Sequence, residues 1–160
     1  MIDIFTEGYK ITQGFGEENT SSKYLAWYQA NNLKGHEGVD IIPKNKNMDW
    51  RIFSPISGEV VKANHILYGP YGRYVTIWNK KKNIAIQVCH MIDVKVNVGD
   101  KVEKNKTFIG VMGGSGINEE SYPPHAHING IPVNIFGHRN GDKKNGYKGL
   151  VNPLPYIMEG

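Results

Sequence analysis

The segments Tyr74-Val75-Thr76-Ile77-Trp78 and Ile84-Ala85-Ile86-Gln87-Val88-Cys89-His90 decide the fold class of this chain. Both are rich in β-branched and aromatic residues, which favour strands. The polar residues 79–83 separate them, so the pair predicts a β-hairpin. Further segments of this kind fill residues 51–114, and the 19 glycines and eight prolines are spread along the chain. The pattern is typical of many short strands joined by turns, and it predicts a mainly β protein.

Length and composition predict one folded domain, residues 1–160. A hydrophobic content of 39% and a charged content of 21% are typical of globular rather than disordered chains. The net charge of +4 permits acidic partners without identifying one. We interpret the run Lys80-Lys81-Lys82 as a solvated loop, and no motif predicts nucleic-acid binding. Cys89 is the only cysteine, so the fold has no internal disulfide.

The sequence predicts neither a secretory leader nor a membrane span. Residues 1–7 have no basic segment followed by an apolar one, which a signal peptide needs. No apolar run approaches the roughly 18 residues that a membrane-spanning helix requires. We therefore expect no membrane insertion, and a protein that acts outside the cell only if something else delivers it.

Histidines and a carboxylate recur at short, even spacings in two phrases. In an extended chain, residues an even number apart share a face. His125 and His127 therefore point the same way, and His36 and Asp40 could do so too. The same alternation predicts that Cys89 and His90 point to opposite faces. The phrases are Gly35-His36-Glu37-Gly38-Val39-Asp40 and Pro124-His125-Ala126-His127.

These donors predict a metal site with catalytic chemistry. Two imidazoles, one carboxylate and a water are the donor set of a zinc site with an open position. Glu37 is not assigned as a general base, because the second histidine of an H-E-x-x-H helix is absent. Spacing alone leaves open which histidines bind metal and which, with His90, handle protons and the developing oxyanion.

From about Ile11 to Tyr156, the chain resembles the lysostaphin-type zinc metalloendopeptidases, which cut peptide cross-bridges or stem peptides of bacterial peptidoglycan. Each matching segment is common by itself, but their ordered combination is specific. The segments are Thr12-Gln13-Gly14-Phe15-Gly16, His36-x-x-x-Asp40, Ser54-Pro55-x-x-Gly58-x-Val60, His90, Val98-Gly99-Asp100-x-Val102, Ile109-Gly110, the turn of Gly113, Gly114 and Gly116, and His125-x-His127.

The resemblance implies a role for each candidate residue. It implies that His36, Asp40 and His127 bind Zn²⁺, and that His90 and His125 are catalytic. It also implies a mainly β fold in which antiparallel sheets form an open groove, with a core like that of lipoyl and biotinyl sandwich hybrids and long surrounding loops. Some relatives use a tyrosine just before the first motif to assist the oxyanion, and Tyr28 or Tyr24 could match it.

The chain departs from the family pattern at two motifs. His90-Met91-Ile92 stands where relatives usually have His-Leu-Ser, and Ile128-Asn129 stands where Phe-Glu commonly follows the last motif. Neither departure replaces an implied zinc ligand. The resemblance therefore implies an active peptidase whose substrate is the peptide part of peptidoglycan.

Two other functions compete with this interpretation. A non-catalytic domain of the same fold could bind cell wall or activate another enzyme, but such members usually lose ligands. A lipoyl- or biotinyl-like carrier would not need the histidines. The missing leader favours a phage lysin or a virion tail component, which reaches the wall by lysis or injection, or a domain of a larger secreted protein.

Overall fold

Nine strands and two helices make up the part of the chain that the computed structural model describes, residues 3–18, 22–45 and 49–158. The side chains of residues 22–24 lie outside this description. The strands are β1 (Tyr9–Gln13), β2 (Val39–Pro43), β3 (Arg51–Phe53), β4 (Gly58–Asn64), β5 (Arg73–Asn79), β6 (Ile84–Val94), β7 (Lys101–Val102), β8 (Phe108–Met112) and β9 (Ala126–Pro132). The helices are α1 (Ser22–Ala30) and α2 (Leu154–Ile157). No helix in these ranges is long and apolar enough to cross a membrane.

The strands form one open sheet in which every pairing is antiparallel, so the predicted mainly β, antiparallel fold is confirmed. The main order is β1-β2-β9-β6-β5-β4-β7, while β8 joins β3 to β6. The predicted hairpin is also confirmed: Asn79 at the end of β5 pairs with Ile84 at the start of β6.

Strand β6 organises the sheet because it has different partners along one of its edges. Its residues 84–89 pair with β9, whereas residues 91–94 pair with β8. Every residue from Ile84 to Met91 is 5% exposed or less. Burial on both faces explains why this segment reads as a nearly continuous apolar run rather than as an alternating one.

The two faces of β6 differ in what they pack against. On one face, Ile86 and Val88 enter the main core with residues such as Val39, Ile77 and Ile128. On the other face, Ala85 packs in a smaller apolar cluster. The same face continues through Gln87, which lies opposite Asn129, to Cys89, which lies opposite His127. This second face therefore changes from apolar to polar along the strand.

Strict alternation fails at His90, so the prediction that Cys89 and His90 point to opposite faces is wrong. Three steps along β6, from Val88 to Met91, match two along β5, so β6 has a bulge there. His90 has a φ of 65°, a left-handed conformation that is costly outside glycine. The bulge turns the His90 ring towards His127. Cys89 pairs directly with His127, so its side chain lies on the same face. Cys89 is fully buried and unbridged, so its expected role as a small buried residue holds.

Candidate metal centre

The pairing of β2 with β9 places Asp40 directly opposite His127. His36 lies just before β2, and its backbone is hydrogen-bonded to the turn that follows β1. The His36 backbone N–H donates to the Glu17 carbonyl at 3.1 Å, and the His36 carbonyl accepts from Gly16 N–H at 2.7 Å. The turn at Gly16 and Glu17 therefore fixes the position of His36.

Three donor atoms converge between these residues. Asp40 Oδ1 lies 3.2 Å from His36 Nε2 and 2.8 Å from His127 Nδ1, and the two nitrogens are 3.1 Å apart. The other ring nitrogens face oxygen acceptors: His36 Nδ1 lies 3.2 Å from the Gly14 carbonyl, and His127 Nε2 lies 2.8 Å from Asn129 Oδ1. Protons on these outer nitrogens leave three lone pairs pointing at one another, an arrangement that a cation stabilises.

The separations fit zinc. Tetrahedral ligands at about 2.0–2.1 Å from Zn²⁺ lie about 3.3–3.4 Å apart, slightly more than the three distances seen here. Burial raises the pKa of Asp40, but the adjoining imidazoles of His127 and His36 outweigh it and hold that pKa well below its usual range. Burial lowers the pKa of His127, but the Asp40 carboxylate raises it overall. The carboxylate thus stays ionised, as a metal ligand must be.

Glu37 is a second carboxylate beside the same histidines. One of its carboxylate oxygens lies within 4.8 Å of a ring nitrogen of His36 and of one of His127, and the residue is 4% exposed. Its Oε1 is 3.6 Å from His127 Nε2, a nitrogen already in contact with Asn129. Asp40 makes shorter contacts with both imidazoles, so the geometry favours Asp40 as the ligand and places Glu37 behind the site.

His90 and His125 border the converging donors, with ring centroids 4.7 Å apart. The Nδ1 of His90 lies 2.8 Å from the Ser115 carbonyl, and the Nδ1 of His125 lies 2.7 Å from the Pro123 carbonyl. A proton on each Nδ1 leaves each Nε2 with its lone pair. The Nε2 of His125 is 3.6 Å from Asp40 Oδ1.

Burial keeps both of these histidines neutral near pH 7. It lowers the pKa of His90 to about 3. It also lowers the pKa of His125, although the Asp40 carboxylate opposes that shift. The structure therefore brings all five sequence-predicted residues to one place, with three donors converging and two neutral imidazoles beside them.

The glycine turn at residues 113–116 holds His90 and the following loop. Ser115 is fully buried; its hydroxyl donates to the Met91 carbonyl at 2.7 Å and accepts from Arg73 N–H at 3.1 Å. A Cβ on Gly114 would lie 1.9 Å from the Tyr122 carbonyl oxygen, so only glycine fits. The Tyr122 ring, in turn, packs 4.5 Å from the His90 ring.

Several residues of the site carry no motif that sequence reasoning could use. Tyr71 stacks on His127 with centroids 5.7 Å apart, and Asn129 and Ser115 contact histidines directly. Two residues gave a signal: Glu37, as a lone carboxylate in the first phrase, and Asn129, as a departure from the family pattern after the last motif. The Tyr28 hydroxyl accepts from Gln13 Nε2 at 3.1 Å, and the Tyr24 side chain lies outside the described residues.

Known structures share this fold. The catalytic domain of lysostaphin from Staphylococcus simulans is 21% identical, with 94% of this chain and 93% of that chain covered and a TM-score of 0.65. SpoIIQ–SpoIIIAH, described as a pore-forming complex, gives a match at 22% identity, with coverages of 98% and 88% and a TM-score of 0.61. The catalytic domain of a variant of EnpA, a prophage-encoded M23 protein from Enterococcus faecalis, is 20% identical, with coverages of 91% and 97% and a TM-score of 0.61. No curated protein matches the sequence significantly.

The sequence profile of peptidase family M23 matches residues 34–135, which include all five candidate residues. The chain belongs to peptidase family M23. Zinc is the cofactor of this family, and the converging donors of His36, Asp40 and His127 suit it.

Proposed function

We propose that this protein is a zinc-dependent endopeptidase that hydrolyses peptide cross-bridges or stem peptides of bacterial peptidoglycan. One observation above all supports this: three lone-pair atoms from His36, Asp40 and His127 converge at 2.8–3.2 Å. Bound zinc would lower the pKa of a water towards about 7 and polarise the scissile carbonyl. Family membership and the lysostaphin-like fold favour a wall peptide as the substrate.

In this proposal His90 and His125 act on the proton and the oxyanion. Each has one nitrogen tied to a backbone carbonyl, which fixes its tautomer and ring orientation. His125 is assigned as the proton acceptor, because its Nε2 lies 3.6 Å from Asp40 Oδ1, beside the converging donors. The pKa of about 3 makes His90 a poor base, so it is assigned to orienting the water and stabilising the tetrahedral intermediate.

The proposed place of action is the bacterial cell wall. The similarity to the prophage-encoded EnpA supports a phage origin, as an endolysin or a phage tail component. The net charge of +4 would favour approach to an anionic wall. A test of origin is to purify virions from the host strain and search their peptides for this chain.

Digestion of purified peptidoglycans with different cross-links, followed by mass analysis of the fragments, tests the activity. The zinc-loaded protein should release peptides from at least one of them and identify the scissile bond. His90→Ala and His125→Ala should keep one zinc but lose most hydrolysis, whereas His127→Ala should lose zinc. Normal hydrolysis by either of the first two variants, or full zinc content in the third, would contradict the assigned roles.

A binding role without catalysis is the second candidate, because the fold is shared by SpoIIQ–SpoIIIAH, which is described as a pore-forming complex. That role predicts wall sedimentation of the protein without peptide release. It also predicts that the wild type, His90→Ala and His125→Ala bind wall equally well and that none of them hydrolyses it. The digestion experiment separates the two candidates.

A further inference from the structure

Glu37 is a buried carboxylate that no step proposed so far uses. It is 4% exposed, and its Oε2 has no hydrogen-bond partner among the described residues. Its Oε1 accepts a hydrogen bond from the Tyr71 hydroxyl at 3.2 Å. An incompletely paired buried carboxylate is costly, so its presence in a native structure calls for an explanation.

The carboxylate faces the outer nitrogen of a proposed zinc ligand. Glu37 Oε1 lies 3.6 Å from His127 Nε2, while the opposite nitrogen, Nδ1, lies 2.8 Å from Asp40 Oδ1. Asn129 Oδ1 contacts the same Nε2 at 2.8 Å. The Asn129 amide is oriented by its Nδ2, which donates to Gln87 Oε1 at 3.0 Å. An amide oxygen and a carboxylate oxygen therefore surround Nε2, and only the carboxylate brings a charge.

The space around this nitrogen is closed. Tyr71 covers the His127 ring, with centroids 5.7 Å apart and planes 17° apart. A Cβ on Gly38 would lie 2.7 Å from both His127 Nε2 and Asn129 Oδ1. Glycine at this position thus lets the chain pass close to the outer nitrogen. In such an enclosed place a charge 3.6 Å away acts with little screening.

We propose that Glu37 is a positioning residue whose charge holds the proton on His127 Nε2 and so presents the Nδ1 lone pair to the metal. The inference deepens the proposed function, since it rests on His127 as a zinc ligand. Asn129 takes the hydrogen bond from Nε2–H directly, and Glu37 stabilises the positive end of that N–H dipole. Carboxylate partners behind a ligating imidazole fix its tautomer and raise its basicity.

Zinc affinity of Glu37→Gln, measured by competition with a chromogenic chelator at fixed pH, tests this. The variant keeps the shape of the side chain and removes its charge, so we expect affinity to fall about 10- to 100-fold. Glu59→Gln is the control, because that glutamate pairs with Lys101 on other strands and its loss should leave affinity unchanged. An affinity for Glu37→Gln within about twofold of wild type would overturn the proposal.

A charge moved to position 129 should restore binding. Asn129→Asp is nearly isosteric and faces the same Nε2, and the Gln87 amide can rotate to donate to the second oxygen. The double variant Glu37→Gln with Asn129→Asp should therefore bind zinc within about threefold of wild type. If Glu37 were itself a ligand or only a packing residue, this rescue would fail, and that failure would also overturn the proposal.

A measurement on the unmutated protein covers the case in which Glu37→Gln does not fold. Long-range ¹H–¹⁵N spectra of the zinc-loaded wild type should show His127 protonated on Nε2; a proton on Nδ1 would overturn the proposal. Peptidoglycan digestion, run separately, keeps the two hypotheses distinct. If the variants show the loss and rescue of zinc affinity but the wild type cuts no peptidoglycan, the proposed activity alone is refuted. Active protein with unaltered zinc affinity in Glu37→Gln refutes this inference alone.

Discussion

Gly114→Ala should damage catalysis without touching any of the proposed zinc ligands. The new Cβ would stand 1.9 Å from the Tyr122 carbonyl oxygen, whereas such contacts essentially never fall below 3.0 Å. The Tyr122 carbonyl must therefore move by about 1 Å or more. Tyr122 packs on His90, and His125 follows it three residues later. A misplacement of about 1 Å can cost about 10²-fold in rate, so we expect kcat/KM to fall about 100-fold, or about 2.7 kcal/mol.

Zinc content and peptide release, measured on the same preparation, check this prediction. His127 is held by its pairing with both β2 and β6, so the variant should still bind one zinc per chain. Gly58→Ala is the matched control, because its Cβ would lie 2.2 Å from the Trp78 carbonyl oxygen between β4 and β5. Its folded, zinc-loaded fraction should remain active. Wild-type kcat/KM in Gly114→Ala, or loss of its zinc, would refute the argument.

Three further outcomes are expected. Free zinc at about 100 times its Kd should stabilise the fold by about 2.7 kcal/mol, which raises the Tm of a domain of this length by about 5–11 °C. Thermal scans with and without chelator should show the shift. Persistence of the shift in Asp40→Asn would contradict the assignment of Asp40 as a ligand. Because His90 is buried with a pKa of about 3, against about 6.5 when unfolded, the unfolded chain binds more protons between these values. The free energy of unfolding of the metal-free protein should therefore fall as pH drops from about 6.5 to about 3, and denaturant titrations should show a shallower fall in His90→Asn; equal slopes would count against a neutral His90. Ile128 is fully buried in the main core, so Ile128→Ala should lower the free energy of unfolding by about 2–5 kcal/mol, and a loss below about 1 kcal/mol would show that the core is not packed there as described.

Local patterns were enough to predict the strands and part of the site. The β-branched segments on either side of residues 79–83 form the hairpin, because strand preference and turn chemistry act within a few residues. Alternation also places His125 and His127 on one side, where both reach Asp40. These features depend on local residue preferences and on the two-residue alternation of side chains along a strand, so the sequence alone predicts them.

Alternation fails for Cys89 and His90 for a reason that is not local. Strand β6 exchanges β9 for β8 as its neighbour between Cys89 and Met91, and the bulge relative to β5 falls at the same place. The left-handed backbone of His90 is held by Tyr71, whose carbonyl accepts from its N–H at 2.9 Å, and by Gly113, whose N–H donates to its carbonyl at 3.0 Å. Both partners are distant in sequence. The alternation of side chains along one strand does not reveal such distant partners. For the same reason, the sequence gives no signal at Tyr71.

The same exchange of partners separates the proposed zinc ligands from the proposed catalytic histidines. Asp40 and His127 are fixed by regular pairing of β2 with β9, and β6 supports His127 from the other side. His90 and His125 lie outside that pairing, one on a bulge and one at the end of the loop that follows the glycine turn. Because each pair has its own backbone support, a lesion such as Gly114→Ala can displace the second pair while the first keeps its geometry. A site built from one continuous motif could not be divided in this way, so selective loss of turnover would itself be evidence for the architecture described here.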